Sequence, residues 1–170
     1  MPSAPARLAR EEIEREVNSV PLLLALHRNR RRVTTPGNSE PDERQHRIVS
    51  ALPDLRGKSV LNVAAWDGFF SFEAERLGAG RVVALDHLAW ELDIAACMAH
   101  WRECNERGVK AEAGLPERFH GPAELLGKRG LDTARRLLGS RVESVMANFM
   151  ETDLDALGTF DVVLFLGLKT

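Results

Sequence analysis

The pattern of apolar and polar positions is clearest between Ser59 and Asp86, where two apolar runs flank a stretch with helical spacing. The first run, residues 60–65, is short and apolar except for Asn62, as expected for a strand that is covered on both faces. The second run, residues 82–85, has the same character and ends at Asp86. Apolar residues recur at roughly helical spacing between residues 69 and 77. The pattern therefore predicts a strand, a tight turn, a helix and a second strand.

The rest of the chain continues this alternation of helices and strands. Helices are expected over residues 7–19, 39–52, 88–107 and 131–138, and strands over residues 141–147 and 160–167. Residues 108–130 are rich in glycine and proline, which predicts a loop. Because a parallel crossover needs only about a dozen residues, the span after Asp86 contains an insertion. We expect residues 88–127 to be either a lid over a substrate or surface decoration.

The turn after the first strand carries the candidate chemistry. Asp86 can accept hydrogen bonds from ribose hydroxyls, which suits NAD, FAD and S-adenosylmethionine alike. Dinucleotide sites use a G-x-G-x-x-G turn so that pyrophosphate can approach backbone N–H groups, whereas this turn contains only Gly68. Asp67, the expected helix N-cap, would repel pyrophosphate but tolerate ammonium and sulfonium charges. The pattern favours S-adenosylmethionine over a dinucleotide, and an α/β domain without a ligand stays open.

The same residues resemble a known family. The segment VLNVAAWDGFFSFEAERLGAGRVVALD resembles the first motif region of class I S-adenosylmethionine-dependent methyltransferases. It is most similar to the branch that contains the tRNA wobble-uridine modifying methyltransferases and their bacterial relatives, which typically reads D-I-G-A-W-D-G-F-F-S-F-E-A-E-R. Asn62 stands where this family has an acid, and Ala64 where it has the first glycine. The segment FDVVLFLG near residue 165 also matches the family.

The resemblance implies where the cofactor would bind. The implied cofactor-binding residues are Asn62, Ala64, Ala65, Trp66, Asp67, Gly68, Asp86, His87, Asn148, Phe149 and Gly167. In this set Asp86 would hold the ribose, Asn148 and Phe149 the adenine, and Gly167 would border the methyl group. The residues from 64 to 68 would hold the methionine portion. The catalytic residue stays unknown, because no side chain stands out as a general base, and no metal site is predicted.

The resemblance also implies a fold, a Rossmann-like α/β domain with helices on both faces of a parallel sheet. The full family fold has seven strands, and this sequence supplies candidates for strands 1 to 4, in the expected order 3-2-1-4. We expect residues 1–38 to be a helical and basic leader and residues 39–170 to be a partial methyltransferase domain, truncated after its fourth strand. The edge at residues 160–167 would then be exposed and open to self-association.

Composition and charge narrow the class of protein only slightly. The chain has 170 residues, is 44% hydrophobic and 28% charged, and carries a formal net charge of −2. These values are ordinary for a globular domain and give no global signal for nucleic acid or membrane. Cys97 and Cys104 are expected to be free, buried thiols rather than a disulfide or a metal site. With no signal-like leader, this use of cysteine predicts a cytoplasmic protein.

The predicted function is methyl transfer from S-adenosylmethionine to a small molecule or to tRNA. The basic run at residues 28–32 can contact phosphates, although such runs are more often solvated loops. Two alternatives stay open. The first is an inactive cofactor-binding remnant or a half-domain that needs a partner, which Asn62, Ala64 and Asn148 favour. The second is a fragment of a dinucleotide-binding oxidoreductase.

Overall fold

A parallel sheet organises the part of the chain that the computed structural model describes, which is residues 11, 15, 43–110, 119–120 and 127–166. Its four strands lie in the order β3-β2-β1-β4, and every neighbouring pair is parallel. The strands are β1 (Ser59–Val63), β2 (Arg81–Asp86), β3 (Glu143–Met146) and β4 (Val162–Phe165). The α/β class and the order 3-2-1-4 that the sequence predicts are thereby confirmed.

Helices precede β1 and connect the strands. They are α1 (Glu43–Ala51), α2 (Phe69–Arg76), α3 (Leu88–Glu91), α4 (Ile94–Glu106) and α5 (Lys128–Leu138), with a 3₁₀ helix at Leu154–Leu157. None of the helices in the described ranges is long and apolar enough to cross a membrane. Most of the predicted leader helix, the basic run at residues 28–32 and Gly167 lie outside the described residues.

The two faces of the sheet are covered differently. On one face, alternate strand residues pack against α2, α3 and α5 and form the larger apolar core, which includes Val60, Val82, Ala84, Phe72, Trp90 and Leu131. On the other face, Leu61, Val63, Val83 and Leu85 pack beneath residues 145–160. Among the described residues, α2, α3 and α5 cover the first face, and the 3₁₀ helix with its flanking residues covers the second. The successive crossovers from β1 through β2 to β3 run in one direction, and right-handed connections then fall on the same face.

The helix predicted over residues 88–107 is wrong as a single element. Leu92 is extended and forms an antiparallel bridge with His120, and Asp93 then starts α4 by accepting a hydrogen bond from the Ala96 N–H at 2.9 Å. Asp prefers such an N-cap position to a helix interior because its carboxylate satisfies a free backbone N–H. The break leaves the Leu88 side chain 52% exposed.

The other predicted elements occur with shifted ends. The helix expected over residues 131–138 begins earlier, at Lys128, inside the predicted loop, and β3 is shorter than residues 141–147. Of the two tryptophans in this region, Trp90 is fully buried and Trp101 is 38% exposed. Cys97 and Cys104 are free and buried, as predicted.

Polar contacts hold the strands together at their amino-terminal ends. The Asp161 carboxylate accepts hydrogen bonds from the Ser59 backbone N–H at 2.8 Å and from the Ser59 hydroxyl at 2.7 Å. These bonds lower the pKa of Asp161 below its ordinary value, the backbone bond most. Arg81 at the start of β2 pairs with Glu143 at the start of β3 at 3.1 Å. The hydrogen bond from Arg81 likewise lowers the pKa of Glu143.

Candidate functional site

The loop after β1 has an unusual backbone. Ala64 and Trp66 adopt positive φ angles of 58° and 50°, and Gly68 has φ of 86°. Residues other than glycine rarely adopt this conformation, because their Cβ atom approaches the following carbonyl oxygen. A Cβ at Gly68 would lie 2.7 Å from the Phe72 ring and 3.0 Å from Leu131. The loop is therefore packed tightly against α2 and α5, and its shape is fixed.

Asp86 ends β2 directly beside this loop. One carboxylate oxygen, Oδ2, accepts a hydrogen bond from the Trp66 backbone N–H at 2.9 Å. The other, Oδ1, accepts from the backbone N–H groups of His87 at 2.7 Å and Ala89 at 3.1 Å. An ionised carboxylate offers about four acceptor positions, so roughly one remains on Oδ2. The carboxylate predicted to hold a ribose thus lies at the expected loop, with capacity for about one further donor.

Trp90 fixes the loop from its other side. Its indole Nε1–H donates a hydrogen bond to the Trp66 carbonyl oxygen at 2.7 Å, and its ring is fully buried. Trp66 is therefore held at both its N–H and its carbonyl, while its own side chain is 38% exposed. The sequence did not identify Trp90 as a partner of the loop. Its position four residues after Asp86, on the first turn of a helix, is the signal that could have indicated this contact.

Two polar residues near the loop point toward α2. The Asn62 side-chain N–H donates to the Ser71 hydroxyl at 2.9 Å, in the buried space between β1 and α2. The Asp67 carboxylate accepts a hydrogen bond from the Phe69 N–H at 3.2 Å. Gly68, and not Asp67, occupies the N-cap position of α2, so the predicted cap is displaced by one residue. Asp67 nevertheless binds the first N–H of the helix, because its carboxylate reaches past Gly68.

The residues expected to hold adenine follow β3. Ala147 donates its N–H to the Asp86 carbonyl oxygen at 3.1 Å, which places Asn148 next to the end of β2. The Asn148 side-chain oxygen accepts a hydrogen bond from the Met150 N–H at 3.0 Å. Phe149 is half-buried and lies 5.7 Å from Phe165, between ring centroids. Asn148 therefore stabilises its own turn, while the two phenyl rings form an apolar surface at the end of the sheet.

An acidic residue between two imidazoles lies just beyond Asp86. Glu91 is 3.4 Å from His87 Nε2 and 3.8 Å from His120 Nδ1. This cluster and the bridge at Leu92 join α3 to the only described part of residues 111–126. Within the described ranges, no group of three or more His, Cys, Asp or Glu side chains could hold a metal ion. The sequence did not identify Glu91 or His120, because residues 91 and 120 meet only in three dimensions.

A cleft at the opposite edge of the sheet is lined by paired charges, unlike the edge that carries Asp86. Its lining includes Glu75, Arg81, Arg141 and Glu143. Arg81 pairs with Glu143 at 3.1 Å, and Arg141 lies 3.9 Å from Glu75. Because each arginine faces a glutamate, this cleft has no excess charge with which to hold an ionic ligand.

The structure brings most of the predicted site residues to one edge. The loop at residues 64–68, Asp86, His87, Asn148 and Phe149 all lie at the carboxyl ends of β1, β2 and β3, whereas Asn62 faces α2 and Gly167 lies outside the described residues. No protein-family model matches this chain, and no curated protein matches it at a significant level. The edge combines a buried carboxylate with exposed or half-buried aromatic rings, which can hold a sugar hydroxyl and a planar ring.

Proposed function

We propose that this chain binds S-adenosylmethionine across the carboxyl edge of its sheet and acts in methyl transfer. The observation that carries the proposal is the hydrogen bond from the Trp66 N–H to Asp86 Oδ2, at 2.9 Å. It joins the acidic end of β2 to the loop after β1. The strand order also supports the proposal, because it reverses at β1, and ligands of open α/β sheets bind at such a reversal.

The charges at this edge favour a cationic ligand over a dinucleotide. Asp67 and Asp86 are both buried carboxylates, and Asp67 already accepts the Phe69 N–H at the start of α2. Pyrophosphate binding at a helix start depends on such free N–H groups and would bring negative charge next to Asp67. A ligand with ammonium and sulfonium groups gains from the same carboxylate. These features support S-adenosylmethionine rather than NAD.

The residues present fit this cofactor, and each would contact one part of it. Asp86 would accept one ribose hydroxyl through its remaining acceptor position, Phe149 would pack on the adenine, and the fixed loop at residues 64–68 would carry the methionine portion. When bound, the sulfonium supplies an electrophilic methyl group, so the protein chiefly has to align an acceptor. The acceptor is a small molecule or tRNA, as the resemblance implies.

Calorimetric titration with S-adenosylmethionine and with its demethylated product tests the proposal. We expect saturable binding to the folded protein. Asp86→Asn should weaken binding about tenfold or more, because an amide cannot replace a carboxylate that accepts several hydrogen bonds. Asp161→Asn is the matched control, since Asp161 lies at the amino-terminal edge of the sheet and should leave the affinity unchanged. Absence of heat at high micromolar ligand would overturn the proposal, and NAD binding would favour the oxidoreductase alternative.

A second candidate is a cofactor-binding unit that needs another chain. The outward side chains of β4 favour it, because Val163 is 56% and Phe165 50% exposed and both are apolar. Methyl transfer assays with labelled cofactor and RNA or metabolite extracts separate the two candidates. Binding with transfer supports the enzyme, whereas binding without transfer supports the partner-dependent unit.

A further inference from the structure

The Asp86 carboxylate is already largely occupied by backbone donors. Its Oδ1 accepts hydrogen bonds from the N–H groups of His87 at 2.7 Å and Ala89 at 3.1 Å, and its Oδ2 accepts one from the Trp66 N–H at 2.9 Å. Each oxygen of an ionised carboxylate has about two acceptor positions. Both positions of Oδ1 are therefore filled, and about one position of Oδ2 is left for a ligand.

The two hydrogen bonds to Oδ1 hold the start of α3. His87 immediately precedes this helix and Ala89 lies in its first turn, where backbone N–H groups have no partner within the helix. A ligand hydroxyl that took over Oδ1 would displace two backbone donors and supply only one, so the number of hydrogen bonds would fall. Asp86 is also buried, with 6% of its surface exposed. The carboxylate is therefore fixed in place, and its Oδ1 serves the fold rather than a ligand.

We propose that Asp86 recognises a single sugar hydroxyl, the 3′-hydroxyl, and that the site accepts both ribonucleoside and 2′-deoxyribonucleoside ligands. This assignment rests on the proposed function, because it takes the loop at residues 64–68 as the place of the methionine portion. The remaining acceptor position is on Oδ2, the oxygen that is bound to this loop. In a 5′-substituted adenosine, the 3′-carbon is bonded to the carbon that carries the 5′ arm, whereas the 2′-carbon is bonded to the carbon that carries adenine. The 3′-hydroxyl is therefore the one on the side of Oδ2.

Two polar side chains near the adenine end of the site are engaged within the protein. The Asn148 side-chain oxygen accepts the Met150 N–H at 3.0 Å, and the His87 imidazole lies 3.4 Å from a Glu91 carboxylate oxygen. Neither side chain has to leave its partner if the 2′-hydroxyl stays with water. The 2′ position therefore contributes little to affinity, and the 3′ position contributes most of what the sugar supplies.

Calorimetric titration of the full chain with S-adenosylhomocysteine and with its 2′-deoxy and 3′-deoxy analogues tests the inference. We expect the 2′-deoxy analogue to bind within about threefold of the unmodified ligand, and the 3′-deoxy analogue about tenfold more weakly or worse, because it lacks a hydrogen bond to a carboxylate. Weaker binding of both analogues, of neither, or of the 2′-deoxy analogue alone would overturn the inference and leave the proposed function standing. Absence of binding by the unmodified ligand would overturn both.

The same titrations of Asp86→Asn test whether the carboxylate causes the difference. A neutral amide forms weaker hydrogen bonds than a carboxylate, so we expect the gap between the unmodified and 3′-deoxy ligands to shrink to about threefold or less. Asp161→Asn is the matched control and should keep the full gap, because Asp161 bonds Ser59 at the amino-terminal end of β1. A gap in Asp86→Asn as large as in the parent protein would overturn the inference. If Asp86→Asn does not fold, as judged by circular dichroism, the analogue series on the parent protein still decides it.

Discussion

Ala64 has a backbone conformation that alanine rarely adopts. Its φ of 58° lies in the left-handed region, which costs an L residue about 1–2 kcal/mol. The resembling family has glycine at this position, and the backbone angle gives the physical reason. Trp66 has the same kind of angle, and the hydrogen bonds with Asp86 and Trp90 hold it there. The site loop is thus strained locally and fixed by its surroundings.

Replacing Ala64 with glycine should stabilise the protein. Glycine adopts positive φ freely but loses more backbone entropy on folding, so we expect a net gain of about 0.5–1 kcal/mol in the free energy of unfolding. Urea titration followed by circular dichroism measures it. Ala65→Gly is the control, because Ala65 has no positive φ and should lose stability instead. A loss in Ala64→Gly as large as in Ala65→Gly would contradict the strain argument.

Sequence reasoning found the site's carboxylate but not its partners. An acidic residue at the end of an apolar run can be recognised from the sequence alone, so Asp86 could be predicted. The donors from Trp66, His87 and Ala89 depend on how the loop and α3 fold around it. The contact of Asn62 with Ser71 depends on the packing of α2 on β1. Neither arrangement has a fixed spacing in the sequence.

At the scale of elements, a glycine allows the start of α5 to pack closely against α3. A Cβ at Gly127 would overlap the Ala89 carbonyl oxygen, which is backbone and cannot rotate away. Close to this contact, the Lys128 ammonium lies 5.6 Å from the centre of the Trp90 ring. The start of α5 therefore closes over the side chain that supports the site loop.

Gly127→Ala should separate these elements. Overlap with backbone in a packed region costs about 1–3 kcal/mol or more, and the displaced α5 should let water reach Trp90. We expect a lower midpoint in urea and a red shift of tryptophan fluorescence in the folded state. Gly108→Ala is the control: Gly108 has a positive φ of 64°, unlike Gly127, but a Cβ there would meet open space. It should lose some stability without the red shift.

The contact between Asp161 and Ser59 predicts how the β1–β4 pair responds to acid. The folded-state pKa of Asp161 lies below its ordinary value, so the ionised form stabilises the fold. This contribution is fully present above the ordinary value of 3.8 and is lost as the pH falls through the lowered pKa. Asp161→Asn should therefore be less stable than the parent at pH 7, and the difference should shrink below about pH 4.

Asp54→Asn is the matched control for that experiment. Its hydrogen bonds with Arg56 lower the pKa of Asp54 to about 2, but the two residues are neighbours in sequence. The same pair can form in the unfolded chain, which cancels its effect on stability. Urea titrations from pH 2 to pH 7 should show little change for Asp54→Asn. A dependence as strong as that of Asp161→Asn would contradict the assignment to strand pairing.

Short apolar runs located the strands well, while helical spacing failed between residues 88 and 107. Strands that are buried on both faces need continuous apolar residues, and that demand shows directly in the sequence. The break before α4 depends on a bridge between Leu92 and His120 and on the Asp93 N–H, which donates to the Phe119 carbonyl at 2.7 Å. Those partners are distant in sequence, so spacing alone could not show the break.

On the scale of the whole molecule, the strand order was predictable, and the covering of the sheet was predictable only in part. The order 3-2-1-4 came with the family resemblance, and the described strands adopt it. The resemblance also implied helices on both faces; on the second face, the 3₁₀ helix at Leu154–Leu157 and its flanking residues lie near Leu61 and Val83. Beyond this cover, Val163 and Phe165 stay about half exposed. An apolar edge strand of this kind invites pairing with another chain.

Charged substitution on β4 should reduce association between molecules. We expect the parent protein to show concentration-dependent association in sedimentation velocity experiments, and Val163→Lys to shift it toward the monomer, because an edge lysine opposes strand addition. Val109→Lys is the control, since Val109 is 45% exposed but follows α4 and belongs to no strand. A parent protein that is monomeric at all concentrations would contradict the prediction.

The pairing of β1 with β4 affects how the chain folds during its synthesis on the ribosome. Ser59 and Asp161, which join these strands, are separated by 102 positions, and β4 pairs with β1 and not with its neighbour in sequence. On a ribosome, β1, α2 and β2 emerge long before β4 is synthesised. Until then, one side of β1 has unpaired backbone groups and is open to wrong partners. Nascent chains arrested before residue 162 should therefore recruit chaperones more strongly than chains released after residue 166.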